Sequence, residues 1–207
     1  MRKAVFLDRD GTVIELVPYL CEADKIELIP GAAEAVAEIK QMGYLCVLVS
    51  NQSAVGRGLI DEKGVDAMHE KLNELLKARH PGAVFDGIYF CPFHPEALLA
   101  EYRKESFDRK PNPGLILKAA RDFQIDLVSS WMAGDSRSDL EAGTRAGCKA
   151  ALVRTGYGHE TEKELRVNPG REGRPELILN SLAEFPRRLA GLPGRPRRGG
   201  DGKGNGP

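Results

Sequence analysis

The strongest constraint on the fold is a regular alternation of two hydrophobic patterns along the chain. Short runs that are apolar nearly throughout are typical of parallel strands covered on both faces. Five such runs occur, at Ala4–Leu7, Tyr44–Val49, Val84–Phe90, Ser130–Ala133 and Ala150–Val153. Segments with helical spacing separate these runs. The alternation predicts an α/β protein with a doubly wound parallel sheet.

Helix signals between the apolar runs agree with this prediction. The predicted helices are a stripe from Ala32 to Met42 closed by Gly43, a stripe from Val65 to Arg79 opened by Asp61, a helix opened by Asn112–Pro113, and a helix from Ser138 to Ala146 ended by Gly147. The capping residues are of the types that such positions favour. A further short strand is predicted at Ile26–Ile29.

Composition and charge restrict the class of protein. No apolar run approaches the roughly 20 residues of a membrane span, so no membrane partner is expected. The first residues do not form a signal-peptide core, and the four cysteines are scattered without a paired spacing. We therefore expect a cytoplasmic, monomeric protein with one folded domain.

The formal net charge of zero hides a basic C-terminal segment. Residues 186–207 hold six basic side chains and one acid, and half of the segment is Gly or Pro. Such a composition buries too little apolar surface to offset its ordering entropy. We expect a domain of residues 1–185 followed by a disordered tail of residues 186–207. No nucleic-acid partner is expected, although the basic tail leaves contact with nucleic acid open.

Polar side chains follow four of the predicted strands. The four groups are Asp8-Arg9-Asp10-Gly11-Thr12, Ser50-Asn51-Gln52-Ser53, Arg109-Lys110-Pro111 downstream of the third strand, and Gly134-Asp135-Ser136-Arg137-Ser138-Asp139. Because ligands of such sheets bind beyond the carboxyl ends of the strands, we expect these groups to converge. Carboxylates, a hydroxyl and an ammonium suit Mg²⁺-dependent phosphoryl transfer, in which a carboxylate can act as the nucleophile.

Two other interpretations of these motifs fail on spacing. A calcium loop starting at Asp8 would need Gly where Val13 stands, and one shifted by two residues would need Glu at Val17. Gly56-Arg57-Gly58 lacks the third glycine and the preceding strand of a dinucleotide-binding fingerprint. Calcium and nicotinamide binding are therefore not expected.

The ordered motifs resemble those of the haloacid dehalogenase superfamily of phosphatases. Arg9-Asp10-Gly11-Thr12, Ser50-Asn51-Gln52-Ser53, Cys91-Pro92 with His94-Pro95, and Arg109-Lys110-Pro111 are similar to the heptose bisphosphate phosphatase and histidinol-phosphatase branch. The resemblance covers roughly residues 3 to 158 and implies a Rossmann-like fold. The gaps from Thr12 to Gly31 and from Gln52 to Arg109 leave no room for a folded cap domain.

The resemblance implies roles for matching residues. Asp8 would be the nucleophile and Asp10 the general acid and base, while Ser50 and Lys110 would stabilise the transferring phosphoryl group. Mg²⁺ would be bound by Asp8, by the main-chain carbonyl of Asp10 and by Asp135, and Asp139 would orient Lys110 or a metal-bound water. The residues expected to contact substrate are Leu16, Val17, Pro18, Tyr19, Asn51, Gln52, Ser53, Arg57, Arg109 and Ser136.

Two positions depart from the pattern of this branch. Relatives often carry a zinc ion in the loop before the Arg-Lys pair, bound by Cys-x-His and a later Cys-x-Cys. Here only Cys91 is kept, and Phe93, Ser106 and Asp108 occupy the other positions. A structural zinc needs four good ligands, so we expect no zinc, with a rearranged site of Cys91, His94 and Asp108 as the alternative. Phe93, Tyr102 and Leu98-Leu99 would pack the loop instead. The second departure is Ser136, where relatives have a basic residue.

The substrate class follows from the resemblance alone. The expected reaction is Mg²⁺-dependent removal of the C7 phosphate of D-glycero-D-manno-heptose 1,7-bisphosphate through an aspartyl-phosphate. Arg57 and Arg109 are candidates for binding the second phosphate. An alternative is histidinol phosphate or another small phosphomonoester, whose cationic head would favour acids such as Glu15 and Glu22. A non-catalytic phosphate-binding or scaffold protein is the alternative of another class.

Overall fold

The computed structural model describes residues 1–170 and 172–192 and contains one parallel sheet. Its six strands lie in the order β3-β2-β1-β4-β5-β6. The strands are β1 (Lys3–Leu7), β2 (Tyr44–Asn51), β3 (Gly87–Cys91), β4 (Trp131–Gly134), β5 (Lys149–Val153) and β6 (Leu177–Leu179). The order runs outward in both directions from the β1–β4 pair. This arrangement confirms the predicted doubly wound sheet.

Helices connect the strands and cover both faces of the sheet. They are α1 (Ala32–Gln41), α2 (Ser53–Gly56), α3 (Glu62–Arg79), α4 (Gly114–Phe123), α5 (Arg137–Ala146), α6 (Gly158–Val167) and α7 (Phe185–Ala190). Alternate residues of β1 show the two layers, because Val5 and Leu7 belong to one buried hydrophobic cluster and Ala4 and Phe6 to another. A strand buried on both faces needs such a continuous apolar run.

Strand register brings the polar motifs to one edge. Leu7 at the end of β1 pairs with Leu48 of β2 and with Ala133 of β4. Asp8 therefore leaves β1 at the level where β2 and β4 also approach their carboxyl ends. The crevice beyond strand ends at a reversal of strand order is the usual ligand site of open α/β sheets.

Two predicted helix caps are confirmed in detail. The carboxylate of Asp61 accepts a hydrogen bond from the backbone N–H of Gly64 at 2.7 Å, which satisfies a free donor at the start of α3. Gly43 follows α1 with φ +82°, a left-handed conformation that glycine adopts without strain. Local sequence thus fixed these two helix ends.

Several boundaries differ from the prediction. The strand predicted at Ile26–Ile29 is wrong, because only Leu28 forms a single bridge, to Ile14. The third strand begins at Gly87 rather than at Val84, and α4 begins at Gly114 with Pro113 in the capping position. Four elements, α2, α6, β6 and α7, were not predicted. The apolar patterns of α2, β6 and α7 are too short for periodicity to identify, and α6 is mostly polar.

The predicted boundary between domain and tail falls inside α7. Phe185 and Leu189 of this helix are buried in the core, and the Phe185 ring meets Trp131 edge-on at 5.8 Å between centroids. The folded part therefore continues past residue 185. The predicted disorder of the tail concerns residues 193–207, which lie outside the described residues.

The connections on the site edge contain little regular secondary structure. Between β1 and α1, and between β3 and α4, the structure contains only one short 3₁₀ helix each, at Ala23–Lys25 and Ala100–Tyr102. Within residues 1–170 and 172–192 no further folded unit is inserted above the sheet edge, as the uncapped fold requires. In the same part of the chain, every helix is too short or too polar to cross a membrane.

Candidate active site

Three carboxylates lie buried together at the carboxyl edge of the sheet. Asp8 follows β1, Asp135 follows β4, and Asp139 lies in the first turn of α5. One oxygen of each carboxylate lies within 4.8 Å of one oxygen of the other two. The three residues are between 1% and 7% exposed. Buried carboxylates at this distance need cations to remain charged together.

Lys110 supplies one of these cations. Its Nζ atom lies 2.5 Å from Asp8 Oδ1 and 2.6 Å from Asp139 Oδ1, and it donates a hydrogen bond to the carbonyl of Val49 at 2.9 Å. Burial opposes the charge of this ammonium, but Asp139 and Asp8 outweigh that effect and raise the pKa of Lys110. Lys110 is therefore a fixed positive charge beside Asp8.

One buried cation does not balance this cluster. Burial, together with the charges of Asp139 and Asp10, raises the pKa of Asp8 to about 7 against the opposing effect of Lys110. Burial and the charges of Asp8 and Asp139 raise the pKa of Asp135 to about 8. Both carboxyl groups would thus hold protons near neutral pH unless another cation stabilises their charged forms.

The carboxylate oxygens of this cluster are suitable ligands for a hard divalent cation. Among the described residues, one oxygen of Asp8 and one of Asp135 accept no hydrogen bond, because Lys110 binds Asp8 Oδ1 and the backbone N–H of Tyr157 binds Asp135 Oδ2 at 2.7 Å. Asp139 is different, since its two oxygens face Lys110 and Ser136. Carboxylate oxygens are the ligands that Mg²⁺ prefers. Asp8 and Asp135 are therefore the carboxylates that fit a Mg²⁺ site.

Glycines make room for the Asp135 carboxylate. A Cβ atom added at Gly11 or at Gly156 would collide with Asp135 Oδ2. Both glycines also have positive φ, of +81° and +56°. Larger residues at these positions would displace the carboxylate or strain the backbone. Gly11 belongs to the predicted motif, whereas Gly156 and Tyr157 follow β5 and were missed, although the rule of reading residues after each strand points to them.

Asn51 fixes the segment that carries Lys110. Its side-chain amide donates to the carbonyl of Lys110 at 3.0 Å, and its side-chain oxygen accepts from the backbone N–H of Lys110 at 3.0 Å. This pair of bonds ties the Arg109–Lys110 segment to the end of β2. Both polar ends of Asn51 are thus engaged within the protein.

A cavity of about 440 Å³ opens beside this cluster. Nine of the ten residues expected to contact substrate line it: Leu16, Val17, Pro18, Tyr19, Asn51, Gln52, Ser53, Arg57 and Arg109. Asp10 lines it as well. The lining residues that sequence reasoning missed include Leu20, His94 and Tyr157. The pocket therefore contains both Asp10, the predicted catalytic acid, and the guanidinium groups of Arg57 and Arg109.

The two guanidinium groups are held in different ways. Arg57 lies over the ring of Tyr19 at 4.7 Å from its centroid, and Tyr19 has a left-handed φ of +52°. Arg109 donates to Ser53 Oγ at 3.2 Å and to the carbonyl of Phe93 at 3.1 Å. Each contact leaves donors of the guanidinium available to an anion in the pocket.

Ser136 lies apart from this pocket lining. Its hydroxyl donates to Asp139 Oδ2 at 2.6 Å, and its backbone N–H donates to the same oxygen at 3.0 Å. Ser136 is the N-cap of α5, so these bonds serve the helix start. The neighbouring Arg137 is paired with Glu141 and Glu164 at 2.8 Å each. The basic side chain next to Ser136 is thus engaged outside the pocket.

The loop after β3, here called the β3 loop (residues 92–108), is held by stacking and by backbone contacts. The rings of Phe93 and Tyr102 lie 5.9 Å apart, and Lys104 Nζ lies 3.8 Å from the centroid of Phe93. Arg103 donates to the carbonyls of Ala97 and Leu98. The expected packing of the Leu98 side chain is wrong, because this residue is 66% exposed. Among the described residues, Cys91 belongs to no group of side chains that could hold a metal.

A second and larger cavity, of about 830 Å³, lies away from this chemistry. Residues 26–31, the start of α1 and the end of α3 line it. Its charged side chains are Glu27, Glu34 and Arg79, with no buried carboxylate or lysine. The smaller cavity is therefore the candidate active site.

Known proteins with similar sequences carry consistent names. The chain is 44% identical over 191 residues to the D-glycero-beta-D-manno-heptose-1,7-bisphosphate 7-phosphatase of Photorhabdus laumondii, covering 91% of this chain and 96% of the relative. It is 38% identical over 188 residues to the enzyme of the same name from Escherichia coli K12, covering 90% and 93%. The sequence model of a family described as HAD-hydrolase-like matches residues 107–185.

A solved structure has the same fold. The D,D-heptose 1,7-bisphosphate phosphatase from B. bronchiseptica, crystallised with magnesium and phosphate, superposes with a TM-score of 0.77 at 33% identity. The alignment covers 90% of this chain and 97% of that chain. The likeness therefore extends over most of both chains.

Proposed function

We propose a reaction for this chain from one premise: it belongs to the haloacid dehalogenase-like hydrolases, in the group of relatives named heptose-1,7-bisphosphate 7-phosphatases. The proposed reaction is hydrolysis of the C7 phosphate of D-glycero-D-manno-heptose 1,7-bisphosphate, with Mg²⁺ as cofactor. The names of the relatives from Photorhabdus laumondii and Escherichia coli specify the β anomer, and we propose that anomer as the preferred substrate.

One observation carries the proposal. The buried pair of Asp8 and Lys110, at 2.5 Å, lies beside Asp135 at the edge of a pocket lined by Asp10, Arg57 and Arg109. A nucleophile, a fixed positive charge, an acid and two anion-binding groups thus share one site. A bisphosphate needs this combination, since one phosphate reacts while the other must be bound.

Asp8 would attack phosphorus and form an aspartyl-phosphate. In this step the P–O bond to the sugar breaks, and Asp10, which enters the step as the neutral acid, donates its proton to the leaving alkoxide. Asp10 would then take a proton from the water that hydrolyses the acyl phosphate, which restores both residues. Its side chain is 24% exposed and lines the pocket, so it can reach the leaving group.

Ser50 and Lys110 would stabilise the charge on the transferring oxygens. Ser50 is 1% exposed and Lys110 4% exposed, and in such a setting fixed donors act strongly on developing charge. Mg²⁺, held by Asp8, Asp135 and the main-chain carbonyl of Asp10, would neutralise the phosphate and keep both carboxylates charged. Asp139 would keep Lys110 in place through its 2.6 Å ion pair.

The charges of the pocket favour a bisphosphate over histidinol phosphate. Glu15 and Glu22, the acids expected to attract a cationic head, are absent from the pocket lining, and Glu22 pairs with Lys25 at 2.6 Å. Arg57 and Arg109 line it instead. We place the second phosphate beside these guanidinium groups.

Phosphate release from a panel of esters tests the proposal. The panel holds both anomers of the heptose bisphosphate, histidinol phosphate and an aryl phosphate, each with Mg²⁺. We expect kcat/KM for the β anomer of the bisphosphate to be about a hundredfold above that for the other esters, or about 2.7 kcal/mol, and preference for the α anomer would contradict the proposed anomer. Asp8→Asn serves as the blank, and Asp66→Asn, which makes the same change on the exposed face of α3, as the matched control. Equal and weak turnover of all esters would contradict the heptose assignment.

A further inference from the structure

Two buried polar side chains connect residues proposed to act on the phosphate. Arg9 is 3% exposed and Gln52 is 4% exposed. Arg9 Nη2 donates to Gln52 Oε1 at 3.0 Å, and Gln52 Nε2 donates to Ser50 Oγ at 2.7 Å. Burying polar groups costs free energy unless they are hydrogen-bonded. Here the two bonds join into one continuous series of hydrogen bonds that runs from Arg9 through Gln52 to Ser50.

The donors and acceptors of these side chains fix the direction of this chain of hydrogen bonds. A guanidinium can only donate, so the oxygen of the Gln52 amide must face Arg9. The amide nitrogen, which also can only donate, must then face Ser50. Ser50 Oγ accepts that bond, and its single proton stays free. Among the described residues Ser50 Oγ has no other partner, so this proton can be donated to a phosphoryl oxygen.

The same guanidinium holds Asp10. Arg9 Nε lies 3.0 Å from Asp10 Oδ2, and Arg9 Nη2 lies 3.2 Å from Asp10 Oδ1. The fork of donors thus contacts both oxygens of one carboxylate, which fixes its plane as well as its position. Gln52 Nε2 adds a longer contact of 3.4 Å to Asp10 Oδ2.

Among the described residues, Asp10 is the acidic side chain that pairs with Arg9. His69, on α3, is 3% exposed, and neither ring nitrogen has a hydrogen-bond partner among the described residues. Burial and the nearby charge of Arg9 lower the pKa of His69 to about 3. His69 is therefore neutral at physiological pH, and it does not repel the guanidinium.

We propose that Arg9 and Gln52 are positioning residues that act together through Ser50 and Asp10. Gln52 aims the hydroxyl proton of Ser50 at the transferring phosphoryl group, and Arg9 orients both the Gln52 amide and the Asp10 carboxylate. This assignment differs from the sequence-based expectation that Gln52 contacts substrate, because both polar ends of its amide are used within the protein. The inference rests on the proposed phosphatase reaction.

Replacing Gln52 tests the direction of the hydrogen bonds from Arg9 to Ser50. In Gln52→Glu the group facing Ser50 becomes an acceptor, so the Ser50 proton turns away from the phosphate. Loss of one fixed donor typically lowers kcat by about 100-fold, and we expect that fall with a rise in KM of no more than about tenfold. Gln52→Met removes the bonds without adding charge and should lower kcat as well. Gln41→Glu, the same change on the exposed end of α1, is the matched control. A raised KM with unchanged kcat would overturn the proposal in favour of substrate contact.

A double-mutant cycle separates positioning from general damage. In a Ser50→Ala background, Gln52→Met should lower kcat by less than about threefold, because the hydroxyl that it orients is gone. The full loss seen in the single variant would instead show that Gln52 acts elsewhere and would overturn the proposal. Circular dichroism and thermal unfolding establish that each variant is folded.

Arg9→Lys tests whether Arg9 positions the Asp10 carboxylate. The readout compares two esters whose leaving groups differ in their need for an acid. Lysine keeps the charge but lacks the fork, so Asp10 should lose its fixed position. An aryl phosphate needs little help from an acid, whereas a sugar phosphate needs much. We expect a loss of about tenfold more on the sugar phosphate than on the aryl phosphate. An equal loss of activity on both esters would contradict the proposal that Arg9 positions Asp10. Unchanged activity on both esters would contradict any positioning role of Arg9.

Binding of inorganic phosphate distinguishes failure of this inference from failure of the proposed function. Calorimetry with Mg²⁺ and inorganic phosphate needs no turnover. We expect Gln52→Glu to weaken phosphate binding by about tenfold relative to the unsubstituted chain. Should the unsubstituted chain hydrolyse none of the esters, the proposed function fails, while this comparison still tests the orientation of Ser50. Equal affinity of both proteins would overturn the inference.

Discussion

The three site loops, which follow β1, β2 and β4, differ from the β3 loop in how they are held. In the site loops the decisive side chains are charged or polar and nearly fully buried, as in Asp8, Ser50 and Asp135. In the β3 loop, Phe93 and Tyr102 are partly exposed and stack on each other, and Arg103 binds backbone carbonyls. Both regions lie at the same edge of the sheet.

This difference predicts how each region responds to substitution. A buried charge that loses its partner costs several kcal/mol, because neither water nor another residue can replace that partner. Partly exposed stacking contacts are worth on the order of 1 kcal/mol each, and other residues can supply them. We therefore expect the site loops to control the chemistry and the β3 loop to affect mainly stability.

The largest expected effect is in the site loops, at Asp8. Asp8→Asn removes the proposed nucleophile, and we expect kcat to fall by at least about 10⁴-fold. Without Mg²⁺ at about pH 8 the variant should also unfold at a higher temperature, because the carboxylate with a raised pKa is removed and Lys110 keeps its ion pair with Asp139. Phosphate release and thermal unfolding measure the two effects. Retained activity would contradict the role of Asp8.

The pH dependence of stabilisation by Mg²⁺ is the second test. The pKa values of Asp8 and Asp135 are raised to about 7 and about 8, so without metal the folded protein holds protons that the unfolded chain releases. That contribution to stability is complete at low pH and is lost as the pH rises through these values.

Mg²⁺ should replace those protons at high pH. We therefore expect it to raise Tm more at about pH 8.5 than at about pH 6. The measurement is thermal unfolding at both pH values, with potassium chloride of equal ionic strength as the control. A larger rise at the lower pH would contradict the assignment of both carboxylates to the metal site.

The β3 loop should show a smaller effect. Phe93→Ala removes the ring between Tyr102 and Lys104, and a loss of about 1 kcal/mol corresponds to a fall in Tm of about 2–4 °C. We expect kcat to change by less than about threefold. Because the loop holds no zinc in this account, metal analysis should detect none and a zinc chelator should leave Tm unchanged. Bound zinc in the purified protein would contradict this description.

The smallest effect is expected at Leu98. This residue is 66% exposed, so Leu98→Ser should change Tm by less than about 1 °C. Leu72→Ser, at a fully buried position of α3, is the contrasting control and should destabilise the protein strongly. A large loss at Leu98 would show that its side chain packs the loop after all.

Sequence alone predicted that the candidate site residues meet at one edge of the sheet, because strand ends are predictable. Asp8, Ser50 and Asp135 each follow a short apolar run, and parallel strands bring such positions to one edge. Lys110 was a weaker prediction, since it lies well beyond the end of β3, and only the resemblance implied its role. The strand at Ile26–Ile29 was wrongly predicted, because an apolar pattern of four residues does not identify a pairing partner.

The chain from Arg9 to Ser50 could not be predicted from spacing. Arg9 and Gln52 lie 43 residues apart, and their contact depends on the register of β1 and β2 and on the burial of both side chains. The sequence held one indication of this contact, which is the long basic side chain of Arg9 between Asp8 and Asp10.

In the β3 loop, Cys91 indicated where the loop begins but did not indicate the contacts that hold it. Stacking between partly exposed side chains follows from the fold rather than from a motif.

The most direct test of the account is to identify the residue that receives the phosphoryl group. The reaction is started with Mg²⁺ and the bisphosphate, stopped within one turnover, and treated with borohydride, which reduces an acyl phosphate to an alcohol. Mass spectrometry of the peptides then locates the reduced aspartate. We expect homoserine at position 8 only, and only when substrate is present. Reduction at Asp10 or Asp135, or none in an enzyme that turns over, would contradict it.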